Sequence, residues 1–262
     1  MRKTAFVALA MAVVPLLFAT SAGAAELRLY GGGHFQGAGA PLAEAFTAKT
    51  SMAASYTPGN TGNGGINTRL AAGEMIDIIV MNRGELDEQV RMGVIKADSV
   101  VSFASDRMGL AVPKGAAKPD ISTPEKLRAA LLAARAVMTR RVEPDGNSGK
   151  NIQTILTNLG IADEVNRKAV ISDDRTPIAE RRVDIGFWSY PELLRQTEVD
   201  VLGPVPGSLG GFTEQAVGIL TRNTANDAAA RAFIQFLTSP DGGAVYQRYG
   251  LEPLAPGERA AP

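Results

Sequence analysis

Short apolar runs alternate with amphipathic stretches along the chain from Glu26 onward. Glu26–Tyr30 (ELRLY) alternates apolar and polar positions with period two, which is typical of a strand. Ile76–Met81 (IDIIVM) is almost continuously apolar, which is typical of a buried strand in a parallel sheet. Helical spacing predicts helices over Pro41–Lys49, Ile66–Ala72 and Leu86–Met92, with a weaker strand over Met52–Thr57. This order is β-α-β-α-β-α, so the pattern predicts an α/β fold with a parallel sheet.

A second series of the same kind follows. Further strands are predicted over Met108–Val112, Ala136–Thr139, Ala169–Ile171, Val183–Trp188, Val199–Leu202 and Gln215–Leu220. Further helices are predicted over Thr123–Ala134, Ser148–Leu159, Thr176–Arg181, Asp227–Leu237 and Gly242–Tyr249. The segment Ser122–Glu125 (STPE) combines a capping hydroxyl, a proline in the first turn and an early acid, which marks a helix start. Gly73, Gly93 and Gly160 mark helix ends.

The number of strands is too high for one small sheet, and two α/β lobes fit better. Each lobe is predicted to be a mostly parallel sheet flanked by helices. The glycine- and proline-rich stretch Gly203–Gly211 (GPVPGSLGG) is a candidate return connection between the lobes. Ligands of open α/β sheets bind at the carboxyl ends of strands, so we expect the site in the cleft between the lobes.

The first residues have the features of a secretory signal peptide. Arg2 and Lys3 are positive, Ala5–Ala19 is apolar, and Ala22-Gly23-Ala24 fits a small-x-small cleavage site. We therefore expect residues 1–24 to be removed and the protein to be periplasmic; the alternative is an N-terminal membrane anchor, for which the apolar run is short. The full chain has 27 Lys and Arg against 27 Asp and Glu, so removal of Arg2 and Lys3 leaves a net charge of −2.

Composition narrows the possible chemistry. The chain has no Cys and one His, which excludes disulfides, thiolate catalysis and multi-histidine metal sites. A basic excess, which is typical of nucleic-acid binders, is missing. Gly31–Gln36 lacks the third glycine of the dinucleotide fingerprint, and Pro144 and Asn151 break the P-loop pattern around Asn147–Lys150. Ser148 and Lys150 lack the S-x-x-K spacing of serine–lysine enzymes. We expect neither cofactor, metal nor catalysis.

Three glycine-bearing loops each stand between a predicted strand and a predicted helix: Gly31–Phe35, Pro58–Gly65 and Glu143–Lys150. Glycines let backbone N–H groups approach a ligand, and a helix N-terminus favours negative charge. Each loop is also consistent with simple turns and caps. Three of them in two lobes favour an anion-binding cleft.

Charged and aromatic candidates lie near the same strand ends. Arg83 follows IDIIVMN, and Arg140 and Arg141 follow AVMT. Arginine suits bidentate contacts with carboxylates, although each of these could instead be a solvated surface residue. Neighbours on a strand face opposite ways, so we expect one of Arg140 and Arg141 to face the cleft. Trp188 could wall the ligand or belong to the core, and His34 could contact an anion or be an exposed loop residue.

The chain resembles the periplasmic solute-binding proteins of ABC importers, in particular the molybdate-binding-like branch with the type II periplasmic-binding fold. The resemblance is carried, in order, by ELRLYGGG (26–33), INTRLAAGEMIDIIVMN (66–82), GLAVPKGAAKPDISTPEKLRAALLAARAV (109–137), GNSGKNIQTILTNLGIADEV (146–165) and AAARAFIQFLTSPDGGAVYQRYGLEPL (228–254). It implies lobe 1 at 25–107 and 214–262, and lobe 2 at 108–213.

By position, the family's binding loops fall on residues of both lobes. The resemblance implies ligand contacts from Gly33, His34, Phe35, Asn60, Thr61, Asn82, Arg83, Arg140, Arg141, Ser148, Gly149, Trp188 and Ser189. It also implies a small anionic ligand and, as partner, the permease of an ABC importer or else a membrane receptor or carrier. We expect a monomer that does not bind nucleic acid.

One departure from the family bears on the ligand. Molybdate sites of this family use neutral donors, typically serine hydroxyls and backbone amides, whereas here Gly33-His34-Phe35 stands where such a serine is expected and arginines lie nearby. Planar, fully charged guanidinium groups suit carboxylates better than a compact oxyanion. We therefore expect a di- or tricarboxylate of the citrate or aconitate kind. The alternatives are a molybdate- or tungstate-type oxyanion, a ligand-sensing protein, and a secreted enzyme using the same cleft.

Overall fold

The computed structural model describes residues 26–59, 65–143, 147–222 and 225–254. Its strands are β1 (Leu27–Gly31), β2 (Ala54–Pro58), β3 (Ile78–Asn82), β4 (Val101–Pro113), β5 (Val137–Thr139), β6 (Ala169–Ile171), β7 (Ile185–Ser189), β8 (Val199–Pro204), β9 (Phe212–Ile219) and β10 (Glu252–Pro253). Its α-helices are α1 (Gly39–Thr50), α2 (Gly65–Ala71), α3 (Arg83–Arg91), α4 (Pro124–Ala133), α5 (Asn147–Asn158), α6 (Ala162–Asn166), α7 (Thr176–Ala179), α8 (Tyr190–Leu193), α9 (Asp227–Leu237) and α10 (Pro240–Gln247). Short 3-10 helices lie at Gly33–Phe35, Ala97–Ser99 and Gly207–Leu209.

The strands form two parallel groups joined by long antiparallel strands. The order across the sheet is β2-β1-β3-β9-β4-β7-β5-β6, and β8 and β10 also pair with β4. Strands β1, β2 and β3 are parallel to one another, as are β5, β6 and β7. Strand β4 is antiparallel to all its neighbours: it pairs with β9 over Val101–Arg107 and with β7 and β8 over Met108–Pro113. The expected two-lobe α/β fold is confirmed, and β4 and β9 add antiparallel pairing to it.

Both faces of each strand group are covered, as parallel sheets require. Around the first group, Phe46, Phe103, Phe233 and Tyr246 pack edge-on or tilted on one face, with ring centroids 5.3 Å apart for Phe46–Phe233 and 5.5 Å for Phe103–Tyr246. On its other face lies a cluster that includes Ile66, Ile79 and Leu86. Around the second group, one buried cluster includes Leu110, Leu127 and Phe187, and the other includes Met138, Ile178 and Trp188.

The lobe boundaries inferred from the resemblance, after residues 107 and 213, fall inside β4 and β9. The segment from Val205 to Gly211 connects β8, which pairs with the second half of β4, to β9, which pairs with the first half. The boundaries themselves stay a prediction.

Several local signals produce the structure that they predict. The Thr123 side chain caps α4 by accepting a hydrogen bond from the Lys126 N–H at 3.3 Å, with Pro124 in the first turn. Gly73, Gly93 and Gly160 have φ of +84°, +71° and +65°, the left-handed conformation of helix ends. Strand β4 begins at Val101, earlier than the predicted Met108, and β10, α6 and α8 were not predicted. The expected signal peptide lies outside the described residues.

Candidate functional site

A cavity of about 200 Å³ lies where the turn after β1 meets the carboxyl ends of β5, β6 and β7. This is where open α/β sheets bind ligands. It is lined by His34, Met108, Arg140, Ser148, Asp173, Trp188, Ser189 and Glu192. His34 comes from the first glycine-bearing loop, and all the other lining residues come from β4 or later in the chain. The cavity is therefore walled by both halves of the molecule.

The elements place these side chains by simple rules of geometry. Arg140 directly follows β5, and Asp173 follows β6 in the neighbouring parallel strand. Trp188 and Ser189 end β7, and Glu192 lies in α8 immediately after it. Ser148 stands in the first turn of α5, whose free N–H groups favour negative charge. The ends of these parallel strands and the helices α5 and α8 thus bring one cation, two hydroxyls and two carboxylates to one cavity.

Arg140 is held against Trp188. Its guanidinium carbon lies 4.5 Å from the centre of the indole ring, and that of Arg175 lies 5.0 Å from the same ring. Arg140 Nη2 is 3.7 Å from Asp173 Oδ1, whereas Arg140 Nη1 is buried and has no hydrogen-bond partner among the described residues. Because Arg140 lines the cavity, its guanidinium is placed to donate to an anion bound there.

His34 and Ser189 converge on a buried carboxylate. Asp106, in β4, is 2% exposed. Its Oδ2 contacts His34 Nδ1 and lies 3.3 Å from Ser189 Oγ, while its Oδ1 has no hydrogen-bond partner within the described part of the chain. Burial lowers the pKa of His34 below the ordinary value for histidine; the Glu192 carboxylate opposes that shift, and the Arg195 guanidinium adds to it.

The structure brings together five of the thirteen predicted site residues: His34, Arg140, Ser148, Trp188 and Ser189 all line the cavity. Of the adjacent arginines, Arg140 faces the cavity and Arg141 is exposed. Trp188 fits both predicted roles: the residue is only 8% exposed and belongs to the core, and it also lines the cavity. Asn60 and Thr61 lie outside the described residues.

Six predicted residues lie elsewhere, for identifiable reasons. Phe35 is fully buried and packs edge-on against Tyr56 and Phe103, so its side chain belongs to the core. Asn82 accepts a hydrogen bond from Gln215 Nε2 at 3.0 Å. Arg83 donates to Asp87 at 2.9 Å and to Ser102 at 3.0 Å. All these partners belong to the proposed lobe 1, so both polar side chains are held by contacts within that lobe.

The two predicted glycines and Arg141 support the cavity wall without lining it. A Cβ on Gly149 would lie 2.1 Å from the carbonyl oxygen of Arg141, so only glycine allows α5 to approach this backbone. Gly33 has φ of +43°, and its carbonyl oxygen accepts a hydrogen bond from Arg195 at 3.4 Å. Gly149 thus acts through close backbone packing, and Gly33 through its backbone conformation and its carbonyl group.

Sequence reasoning missed Asp106, Met108, Asp173, Arg175 and Glu192. Asp173 is the second residue after β6, and Arg140 is the first residue after β5. The position of Asp173 near a strand end was therefore a signal available in the sequence. Asp106 stands in the middle of a long strand and carries no such signal. Among the described residues there is no group of three or more His, Cys, Asp or Glu side chains arranged to hold a metal ion. No helix in the described ranges is long and apolar enough to cross a membrane.

The sequence matches a family model described as bacterial extracellular solute-binding protein over residues 27–252. A curated aconitate isomerase from a Pseudomonas species is 28% identical over 210 residues, covering 79% of this chain and 78% of that protein. The fold is similar to the substrate-binding domain of a putative molybdenum ABC transporter from Clostridium difficile (TM-score 0.68, 16% identity, 88% of this chain and 99% of that chain). It is also similar to the periplasmic molybdate-binding protein of Azotobacter vinelandii (TM-score 0.63, 17% identity, 88% and 99%).

Proposed function

Because the chain belongs to the bacterial extracellular solute-binding protein family, we propose that it captures a small organic anion in the cavity between its lobes and delivers it to a membrane transporter. The observation that carries the anion assignment is the Arg140 guanidinium, stacked on Trp188 at the cavity wall, with the Ser148 hydroxyl lining the same cavity. The volume of about 200 Å³ is below the ~300–1,000 Å³ of typical drug-sized pockets, which favours a small ligand.

Within the small anions, we propose a di- or tricarboxylate of the citrate or aconitate kind. A guanidinium offers two parallel N–H groups that match a carboxylate. The relative named aconitate isomerase supports the same class, because its name implies a tricarboxylate substrate. A molybdate- or tungstate-type oxyanion is the alternative, and the molybdate-binding neighbours support it through the fold alone.

We further propose that the protein works in the periplasm after removal of residues 1–24. Ligand contacts from both lobes would favour the closed form, which a permease could then recognise. A receptor that senses occupancy would need only the same closure. Coexpression with candidate permeases, followed by uptake of labelled ligand, separates transport from sensing.

Calorimetry with the purified protein tests the ligand class. We expect citrate, cis-aconitate or trans-aconitate to bind and molybdate and sulfate to be silent; tight molybdate binding with silent carboxylates contradicts the proposal. Arg140→Ala should weaken carboxylate binding by about 1.5–3 kcal/mol, the usual value of a hydrogen bond to a charged group. Arg141→Ala is the matched control, because this neighbouring side chain is exposed and should leave the affinity unchanged.

A second candidate function is isomerisation of an unsaturated polycarboxylate in the same cavity. Two observations favour it: the 28% identical relative is named for that activity, and the lowered pKa of His34 leaves an imidazole able to take up a proton at the cavity wall. Proton NMR of trans-aconitate incubated with the protein tests it. Appearance of cis-aconitate that is lost in His34→Gln supports an enzyme, whereas unchanged ligand in the presence of saturable binding supports capture without turnover.

A further inference from the structure

The buried carboxylate of Asp106 needs an explanation that anion capture does not supply. A carboxylate behind the wall of an anion cavity repels the ligand, and its burial at 2% exposure is itself unfavourable. It nevertheless receives His34 Nδ1 and Ser189 Oγ on a single oxygen. These two contacts therefore fix the orientation of the His34 and Ser189 side chains at the cavity.

The contact with Asp106 decides which nitrogen of His34 carries a hydrogen. With Asp106 ionised, its carboxylate only accepts hydrogen bonds, which places the hydrogen of His34 on Nδ1. The other ring nitrogen, Nε2, has no hydrogen-bond partner among the described residues, and His34 lines the cavity. Nε2 is therefore available to a ligand or a water molecule in the occupied cavity.

The charge of the imidazole follows from the groups around it. Asp106 faces it from β4, and Glu192 from α8, with Arg195 just beyond that helix. Arg140 and Asp173 share the same cavity from the ends of β5 and β6. Burial outweighs the influence of Glu192 and lowers the pKa of His34. The lowered pKa favours the neutral ring, and with its hydrogen on Nδ1 a neutral ring presents a lone pair on Nε2.

We propose that Asp106 is a positioning residue that fixes His34 as a hydrogen-bond acceptor, so that the cavity selects carboxylates that also carry a hydroxyl group. This inference rests on the proposed binding of carboxylates. Arg140 takes a carboxylate, and Nε2 of His34 takes the hydrogen of a hydroxyl on the same ligand. A fully deprotonated oxyanion offers no hydrogen to Nε2 and is disfavoured. The substrate class is a hydroxy-polycarboxylate.

A matched pair of ligands tests the selection. Citrate and propane-1,2,3-tricarboxylate differ only by a hydroxyl group. We expect citrate to bind at least about tenfold more tightly, because a site built for a hydroxyl rejects the analogue that lacks it. Calorimetry in buffers of different ionisation enthalpy should show no proton uptake with citrate. Equal affinities, or uptake of one proton on binding, overturn the inference and leave carboxylate binding intact.

The position of the proton can be read directly, because the chain has one histidine. Nitrogen-15 NMR of histidine-labelled protein at pH 7 should show one protonated nitrogen, Nδ1, and one unprotonated nitrogen, Nε2. Asp106→Asn can donate its amide to Nδ1, which moves the ring hydrogen to Nε2 and should abolish or invert the preference for citrate. Arg141→Ala is the control, and it should leave both the nitrogen-15 spectrum and the preference for citrate unchanged.

Outcomes separate this inference from the proposed function. If neither of these two tricarboxylates nor either aconitate binds, the proposed capture of carboxylates fails, and the proposed selection of hydroxyl-bearing ligands fails with it; if only an aconitate binds, the selection alone is overturned. If both bind and the wild-type spectrum shows an imidazolium or a hydrogen on Nε2, only the role of Asp106 is overturned. If Asp106→Asn does not fold, His34→Gln tests the same point: its side-chain amide can also donate, so the preference for citrate should fall, and an unchanged preference overturns the inference.

Discussion

At the scale of single residues, Arg140 and Asp173 share the cavity with opposite charges. Arg140 Nη2 lies 3.7 Å from Asp173 Oδ1, and the Asp173 side chain is 72% exposed. The carboxylate of Asp173 therefore interacts with the guanidinium that we assign to the ligand, and it can move into solvent at little cost because exposed ion pairs are weak. The ligand carboxylate competes with a carboxylate of the protein itself.

Replacing Asp173 should improve binding. Asp173→Asn removes the competing charge, and we expect carboxylate affinity to rise by a few-fold, since an exposed ion pair contributes at most about 1 kcal/mol. Calorimetry gives the dissociation constants. Asp174→Asn is the control. Asp174 Oδ1 accepts a hydrogen bond from the Thr176 N–H at 2.8 Å within the turn, so removing the charge of Asp174 should leave the affinity for the ligand unchanged. Weaker binding by Asp173→Asn would show that Asp173 itself contacts the ligand.

Two helical glycines should respond oppositely to alanine. A Cβ at Gly149 would lie 2.1 Å from the Arg141 carbonyl oxygen, whereas nothing lies within 4 Å of one at Gly84. We expect Gly149→Ala to destabilise the fold by about 1–3 kcal/mol through overpacking. Gly84→Ala should be neutral or stabilising by up to about 1 kcal/mol, because alanine favours helices. Urea denaturation measures both, and equal effects would contradict the close approach at Gly149.

The residue scale also shows what sequence reasoning can reach. The position of Arg140, Trp188 and Ser189 at the cavity was predictable, because the carboxyl ends of strands in α/β folds meet at one edge of the sheet. His34 and Phe35 are neighbours in one turn, but His34 lines the cavity and Phe35 packs in the core against Tyr56 and Phe103. This difference depends on tertiary packing, which the sequence of the turn does not reveal. Asp106 could not be predicted, since its role depends on a histidine far away in sequence.

At the scale of elements, helix starts and ends were the most predictable features, because their signals are local. The cap of α4 illustrates this. Thr123→Ala should lower the free energy of unfolding by about 1 kcal/mol through loss of the bond to the Lys126 N–H. Thr123→Ser keeps a hydroxyl and should retain most of that stability. Denaturant titration measures both, and ligand affinity should not change in either variant, because Thr123 does not line the cavity.

Elements whose formation depends on tertiary contacts were harder to predict. The first half of β4 contains Ser102, Ser105 and Asp106, and such polar residues obscure a strand pattern. Ser105 and Asp106 are buried all the same, because β9 pairs alongside them. Helices α6 and α8 are too short for helical periodicity to be visible in the sequence.

At the scale of the whole molecule, β4 and β9 connect the two strand groups, so relative motion of the lobes must be absorbed near these strands. Ligand binding should bring the lobes together. The chain has no Cys, so two introduced cysteines can be labelled uniquely. Ala48 in α1 and Ala129 in α4 are exposed positions in the two proposed lobes. We expect energy transfer between dyes on Ala48→Cys and Ala129→Cys to rise on ligand addition.

The control pair places both dyes in lobe 2, on Ala129→Cys and Thr157→Cys, and its energy transfer should stay constant. Thr157 is also exposed, so labelling should not disturb the core. Constant transfer in both pairs, together with binding detected by calorimetry, would contradict closure of the lobes over the ligand.

The pairing of β4 also governs when the chain can fold. All the strands that pair with β4 come later in the sequence, and the first of them, β7, begins only at Ile185. Such long-range pairing slows folding, because the chain loses the entropy of loop closure before the stabilising contacts between strands can form. Neither half of the molecule can complete its sheet until most of the polypeptide has emerged from the ribosome. We therefore expect a chain that we propose to be exported to stay loosely structured, and able to pass through a translocation channel, until its last third is available.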